Sequence, residues 1–266
     1  MSYIISGRMA IHIMKIEDFH INELSDCMTI YIVKVTDYLN RKLEVINVRY
    51  YIADLHFFHE ALNQKMDCRG FASVEDMNSY MLQKWNQKVR QNDEVVIIGD
   101  LSWGTRKQTE ELLDQLNGRL YLITGNHDRF VQQTITKWNR FVWIKPYEEL
   151  SDNKRKVVLC HYPILCYNGQ YRLDKNGNPK TYMLYGHVHD SHDQRLLEQF
   201  QEITRNTVVE NIQGEQQHIP CNMINCFCMY SDYEPLTLDE WIACNQKRDA
   251  HHAQPAVWRA AWPSML

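Results

Sequence analysis

Five short apolar runs punctuate the chain, each ending in polar or glycine-containing residues: Val45–Ala53, Glu94–Ile98, Leu120–Thr124, Lys156–Cys160 and Thr181–Tyr185. Runs of this length, rich in Val, Ile and Tyr, predict strands buried in a sheet. Helical spacing fills some of the gaps. Ser73 opens S-V-E-D, a capping-box pattern with Asp in place of the preferred Glu, and Val74, Met77, Met81, Trp85 and Val89 follow at intervals of three and four. Further helices are predicted over Thr105–Leu116, with Gly118 placed to end it, and over Asp190–Gln201. Thr237 and Glu240 form another box ahead of Trp241. Strands alternate with helices and then give way to a strand-rich C-terminal half, the pattern of an α/β protein with a layered sheet. Asn168-Gly169 and the stretch Asp174 to Asn178 are turn signals, so residues 162–180 read as an exposed loop or hairpin.

Composition narrows the class. The 266 residues carry Lys+Arg 29 against Asp+Glu 33, a formal charge of -4, and 44% are hydrophobic, which suits one large or two small globular domains. No run approaches the roughly 18 apolar residues of a membrane span; the best, Met28 to Val35, is short and contains Lys34. Arg8, His12 and Lys15 break the apolar start, which argues against a secretory signal. The eight cysteines form no C-x-x-C pair, so a zinc ribbon is unsupported and reduced thiols in a cytoplasmic protein are expected. Mild acidity disfavours broad coating of nucleic acid, though a nuclease whose positive field comes from bound metal fits it. Residues 1–46 and 249–266 differ in character from the middle. The first segment reads as extra strand and helix or as a homo-oligomer contact; Trp258 and Trp262 of the tail read as a partner surface or as a segment folded back on its own domain.

Chemistry gathers where the runs end. They are followed in turn by Asp54-Leu-His56, Gly99-Asp100, Gly125-Asn126-His127-Asp128, His161-Tyr-Pro163 and Gly186-His187-Val-His189. Ligand sites of open α/β sheets form at the carboxyl edge of the strands, so these groups are expected to meet. Asp54, Asp100, Asn126, His56, His161, His187 and His189 are seven nitrogen or oxygen donors. One ion takes four to six ligands, so seven plus waters suits two ions sharing a bridging carboxylate. Such a site attracts phosphate locally in a protein that is acidic overall.

In this order the five motifs resemble the signature of the calcineurin-like metallophosphoesterases, with the nearest likeness to compact bacterial single-domain members. The resemblance spans roughly residues 47–240. It implies a four-layer α-β-β-α sandwich of two mixed β-sheets flanked by helices, occupying 47–248. It also implies that Asp54, His56 and His189 hold one divalent ion and Asn126, His161 and His187 a second, bridged by Asp100. Mn, Fe, Co, Ni and Zn suit these ligands about equally. The implied reaction is hydrolysis of a phosphodiester or phosphomonoester, in a small or nucleotide-like molecule, by in-line attack of a metal-bridging hydroxide. His127 would face the substrate as a catalytic group and Asp128 would accept its other ring N–H. His59, Arg129 and Arg172 are further candidates for contact with substrate. Two rival readings remain beside this one: a metal-dependent nuclease, for which a basic track beside the site would be needed, and a non-catalytic interaction scaffold, against which the complete ligand set argues.

Overall fold

The computed structural model describes residues 47–129, 140–210 and 214–252, the last four without their side chains. The 1–46 extension and the tail from 253 with its two tryptophans lie outside the described residues. In chain order come β1 (Arg49–Ile52), α1 (Val74–Lys88), β2 (Glu94–Ile98), α2 (Arg106–Gln115) and β3 (Arg119–Ile123). They are followed by β4 (Phe141–Lys145), β5 (Tyr147–Asp152), β6 (Arg155–Cys160) and β7 (Thr181–Tyr185). α3 (His192–Asn206), β8 (Val208–Glu210), β9 (Gln216–His218), β10 (Met223–Asn225) and α4 (Leu238–His252) complete the order.

The first sheet runs β1-β2-β3-β4 and the second β10-β7-β6-β5, with β8-β9 a small ribbon apart. The strand pairings of the first sheet are parallel, with helical crossovers α1 and α2 carrying the chain back between β1, β2 and β3, and an antiparallel bridge joins Tyr51 of β1 to Leu236. The second sheet is mixed, because the tight β5–β6 hairpin pairs antiparallel while β6, β7 and β10 run parallel.

Alternation along the strands divides the interior into three cores. Ile52, Val95, Ile97, Leu120 and Leu122 face Met77, Met81 and Trp85 of α1 and Leu112 and Leu113 of α2. The opposite face of the same strands, with Tyr51, Val96, Ile98 and Ile123, packs with Val157, Leu159, Leu184 and Ile224 of the second sheet and Trp241 of α4. Val158, Met183, Tyr185 and Met223 point the other way, with Leu197 of α3 in the same cluster. Every strand of both sheet centres is thus buried on two faces, which is why each reads as a continuous apolar run.

Helix starts follow the sequence with one chemical difference. Thr237 and Glu240 close a reciprocal box, Thr237 N–H donating to Glu240 Oε2 (2.8 Å) and Glu240 N–H to Thr237 Oγ1 (3.3 Å). At α1 the shorter Asp76 instead accepts the Ser73 hydroxyl proton (2.9 Å) while its own N–H donates to Ser73 Oγ (3.0 Å). Ser73→Ala leaves that N–H without its cap and is expected to lower unfolding free energy by about 1 kcal/mol, read as a shift in urea midpoint at constant m-value.

Candidate metal centre

Because β1, β2 and β3 are parallel to one another, as are β6 and β7, residues just past their ends emerge at a common edge of each sheet. The buried Asp100 sits at the meeting point. Its Oδ1 accepts the His127 backbone N–H (2.8 Å), which turns Oδ2 toward His56 Nε2 (3.4 Å) and His161 Nε2 (3.5 Å). Asp54, fully buried, accepts the His187 backbone N–H (3.0 Å) and places Oδ1 3.8 Å from His189 Nε2 and 3.9 Å from His161 Nδ1. Asn126 Oδ1 lies 3.0 Å from His161 Nε2 and 2.9 Å from His187 Nδ1. Two compact donor groups result, Asp54 with His56 and His189, and Asp54 with Asp100 and His161, each with its ligand atoms within 4.8 Å of one another. His187 stands outside both and joins through Asn126; these two are exposed, so the centre opens on their side.

The local backbone is bent to bring these groups in. Asp54, His56, Asp100, His187 and His189 all adopt left-handed φ values between 48° and 71°. Such conformations cost of order 1–3 kcal/mol each and persist where the surroundings enforce them, as at ligand sites. Gly125 and Gly99 permit the close approach: a Cβ would lie 2.1 Å from Asp100 Oδ1 at the first and 2.2 Å from His161 Nδ1 at the second.

The charge balance points to cations. Burial raises the Asp54 carboxyl above the usual range, opposed by His189 and His161. Burial also pushes Asp100 up, but His161 and His56 beside it hold it down at about 2. His161 is drawn up to about 9 by Asp100 and Asp54 against the opposing effect of its burial, whereas burial drives His56 down to about 2. Among the described residues, no lysine or arginine forms a salt bridge to either carboxylate; only imidazoles face them. Buried carboxylates need compensating charge, and an oxygen and imidazole set with a carboxylate common to both groups suits divalent transition metals. The orphaned Nδ1 atoms of His56, His59 and His127 ring the same place. The donor set therefore fits metal ions.

Two expected contacts are not made. Asp128 does not accept a proton from His127. Its carboxylate turns inward and takes the backbone N–H groups of Gly125 (2.7 Å), Asp100 (2.9 Å) and Leu101 (2.9 Å), and the His127 Nδ1 has no partner among the described residues. Burial and the neighbouring Asp100 raise Asp128 to about 6 against those hydrogen bonds, so its place is under the loop that presents Asp100. Arg172 does not join the ligands either. The 162–180 segment leaves the carboxyl end of β6 and returns to the start of β7, which carries Arg172 beside Lys156 and Thr181 at the opposite end of the strands. His59 and Arg129 do lie close. Trp103 joins them: the His59 ring stacks on it (4.5 Å, 9°), the Arg129 guanidinium lies 5.2 Å from its ring centre, and His127 meets it edge-on at 4.9 Å.

Trp103, Tyr162 and the pair Asp67–Arg69 were not found from the sequence. Tyr162 packs edge-on against His187 at 4.5 Å. Asp67 accepts the His189 Nδ1–H (2.7 Å), and the buried Arg69 holds Asp67 through Nε (3.0 Å) and Nη2 (2.9 Å) while donating to the carbonyls of Leu55 and Asp54. A carboxylate behind a ligating histidine fixes its tautomer and orientation, so Asp67→Asn is expected to weaken metal binding by about 10–100-fold, measured by competition with a fluorescent chelator. Cysteine takes no part in either donor group; Cys228 Sγ reaches only the Asp54 carbonyl, at 3.2 Å.

Comparison with known proteins agrees with this geometry. The calcineurin-like phosphoesterase family matches residues 50–222, and the chain belongs to that family. An uncharacterized protein of Methanocaldococcus jannaschii is 32% identical over 145 residues, 54% of this chain and 70% of its own. The gene 66 protein of Mycobacterium phage D29 is 29% identical over 161 residues, covering 53% and 77%. The crystal structure of a protein of unknown function from Aquifex aeolicus shares the fold, with a TM-score of 0.51 at 20% identity over 73% of this chain and 97% of that one. No helix among the described residues is long and apolar enough to cross a membrane.

Proposed function

We propose that this protein is a two-metal hydrolase of phosphate esters, acting on a phosphodiester or phosphomonoester of a small or nucleotide-like molecule. The observation that carries the reading is the position of Asp100, whose Oδ2 faces His56 on one side and His161 on the other. Asp54, His56 and His189 would hold one ion and Asn126, His161 and His187 the other, with Asp100 common to both. When bound, divalent ions supply Lewis acidity toward phosphoryl oxygens and acidify water. The chain's own groups do the rest. His127, His59 and Arg129, gathered on Trp103, would offer donors to the ester oxygens. His127 would protonate the departing oxygen.

The alternation of the three cores supports an α-β-β-α order of layers. Dispersed free cysteines support a cytoplasmic setting. The test is elemental analysis of purified protein for Mn, Fe, Co, Ni and Zn, together with hydrolysis of bis- and mono-p-nitrophenyl phosphate before and after chelation. Protein that binds none of these ions, or activity indifferent to the chelator, would reject the proposal.

A further inference from the structure

We infer that the far end of the second sheet carries a separate binding site for a small anion rich in phosphate. Two adjoining clefts, of about 1000 Å³ and 340 Å³, open where β6 and β7 begin, and Lys154, Arg155 and Lys180 line both. Lys156 and Arg172 extend the wall of the smaller cleft and Arg205 that of the larger. Strands of this length separate the clefts from the metal centre by roughly 15–20 Å.

Three carboxylates share the walls, and each is engaged. Asp239 pairs with Arg155 and Glu149 with Lys156, while Asp174 accepts the backbone N–H groups of Asn176 and Asn178. Lys154, Arg172 and Lys180 form no salt bridge among the described residues, so the clefts keep a positive excess in a chain of charge -4.

Burial gives an independent sign of a ligand. Among the described residues, buried side-chain atoms without a partner include imidazole nitrogens at the metal centre and, in the wall of the smaller cleft, Thr181 Oγ1. Thr181 is fully buried. Native structures rarely leave such atoms unmatched unless a water, ion or ligand meets them. The Thr181 hydroxyl can donate a hydrogen bond, and beside Arg172 and Lys180 the acceptor that meets it is an anionic oxygen. The clefts have the dimensions of a small-molecule site. The three carboxylates interrupt the basic wall that an extended nucleic-acid strand would need to follow.

The test is calorimetric titration of inorganic tripolyphosphate into the full-length chain, freed of metal so that the centre captures no phosphate and the probe strips no ion. Thermal midpoints confirm that each sample is folded. Binding is expected at low salt and should weaken as salt rises. The double variant Arg172→Glu with Lys180→Glu should weaken it about tenfold or more, and the near-isosteric Thr181→Val by a smaller factor, as loss of charged and neutral hydrogen bonds implies. Asp100→Asn should leave it unchanged, and the double variant should still hydrolyse bis-p-nitrophenyl phosphate at the wild-type rate when loaded with metal. Absence of binding at low salt overturns the inference. So does binding that survives the double variant, or that disappears with Asp100→Asn. Tight binding of a single-stranded oligonucleotide without binding of tripolyphosphate also rejects the small-anion site.

Discussion

Asp100→Asn is expected to lower kcat/KM for bis-p-nitrophenyl phosphate by about 10³-fold or more, the scale on which loss of a central electrostatic contact acts. The purified variant should also retain at most one divalent ion per chain. Both effects come from the split use of one carboxylate: Oδ1 is committed to the His127 N–H at 2.8 Å, and Oδ2 stands between His56 and His161 at 3.4 and 3.5 Å. An amide of the same shape can satisfy the His127 N–H only by turning its NH₂ toward the two imidazoles, where it offers a donor in place of a negatively charged acceptor. The backbone of residue 100 keeps its bond to Asp128, so the fold should persist and the change in unfolding midpoint should be small. A variant that keeps two ions and full activity would show that Asp100 does not bridge two ions.

The strands and the ligands are legible in the sequence for the same reason. Glu94–Ile98 and Thr181–Tyr185 are central strands buried on both faces, and their ends are marked by the change from continuous apolar residues to Gly-Asp and Gly-His. β4 and β5 lie at sheet edges and are only partly buried, although Phe141 to Ile144 of β4 are themselves apolar. β5 reads Tyr-Glu-Glu-Leu-Ser-Asp, an acidic run whose partial burial comes from pairing with β6 alone. The left-handed turns at Asp54, His56 and Asp100 leave no composition signal, since Asp and His occur in many conformations. Asp67 and Arg69 are hidden for another reason: Asp67 reaches His189 across 122 positions of sequence, from a loop with no periodicity to reveal its direction. Adjacency misleads at Asp128, where neighbouring side chains of one turn part, His127 packing on His56 and Trp103 and Asp128 lying beneath the loop.

The place of the His127 ring, between His56 and Trp103, gives it a distinct kinetic signature. His127→Gln is expected to reduce kcat for an alkyl phosphate ester by about 10²–10⁴-fold, the range of a lost general acid, with metal content unchanged. For a p-nitrophenyl ester the reduction should be far smaller, because p-nitrophenolate leaves as a stable anion and needs little help from a proton donor. The distinction holds because the ring is not structural in the way Asp128 is. Its Nδ1 has no partner among the described residues, and its neighbours there include the rings of His56 at 5.5 Å and Trp103 at 4.9 Å. The bond from residue 127 to Asp100 runs through the backbone N–H, so substitution of the side chain leaves it in place. Trp103 provides the contrast. It touches His59, His127 and Arg129 together, so Trp103→Ala should loosen all three and weaken both esters alike, raising KM as well as lowering kcat. Equal losses for both esters in His127→Gln would assign this histidine to binding, and loss of an ion would make it a support of the metal centre; either result removes it as the proton donor.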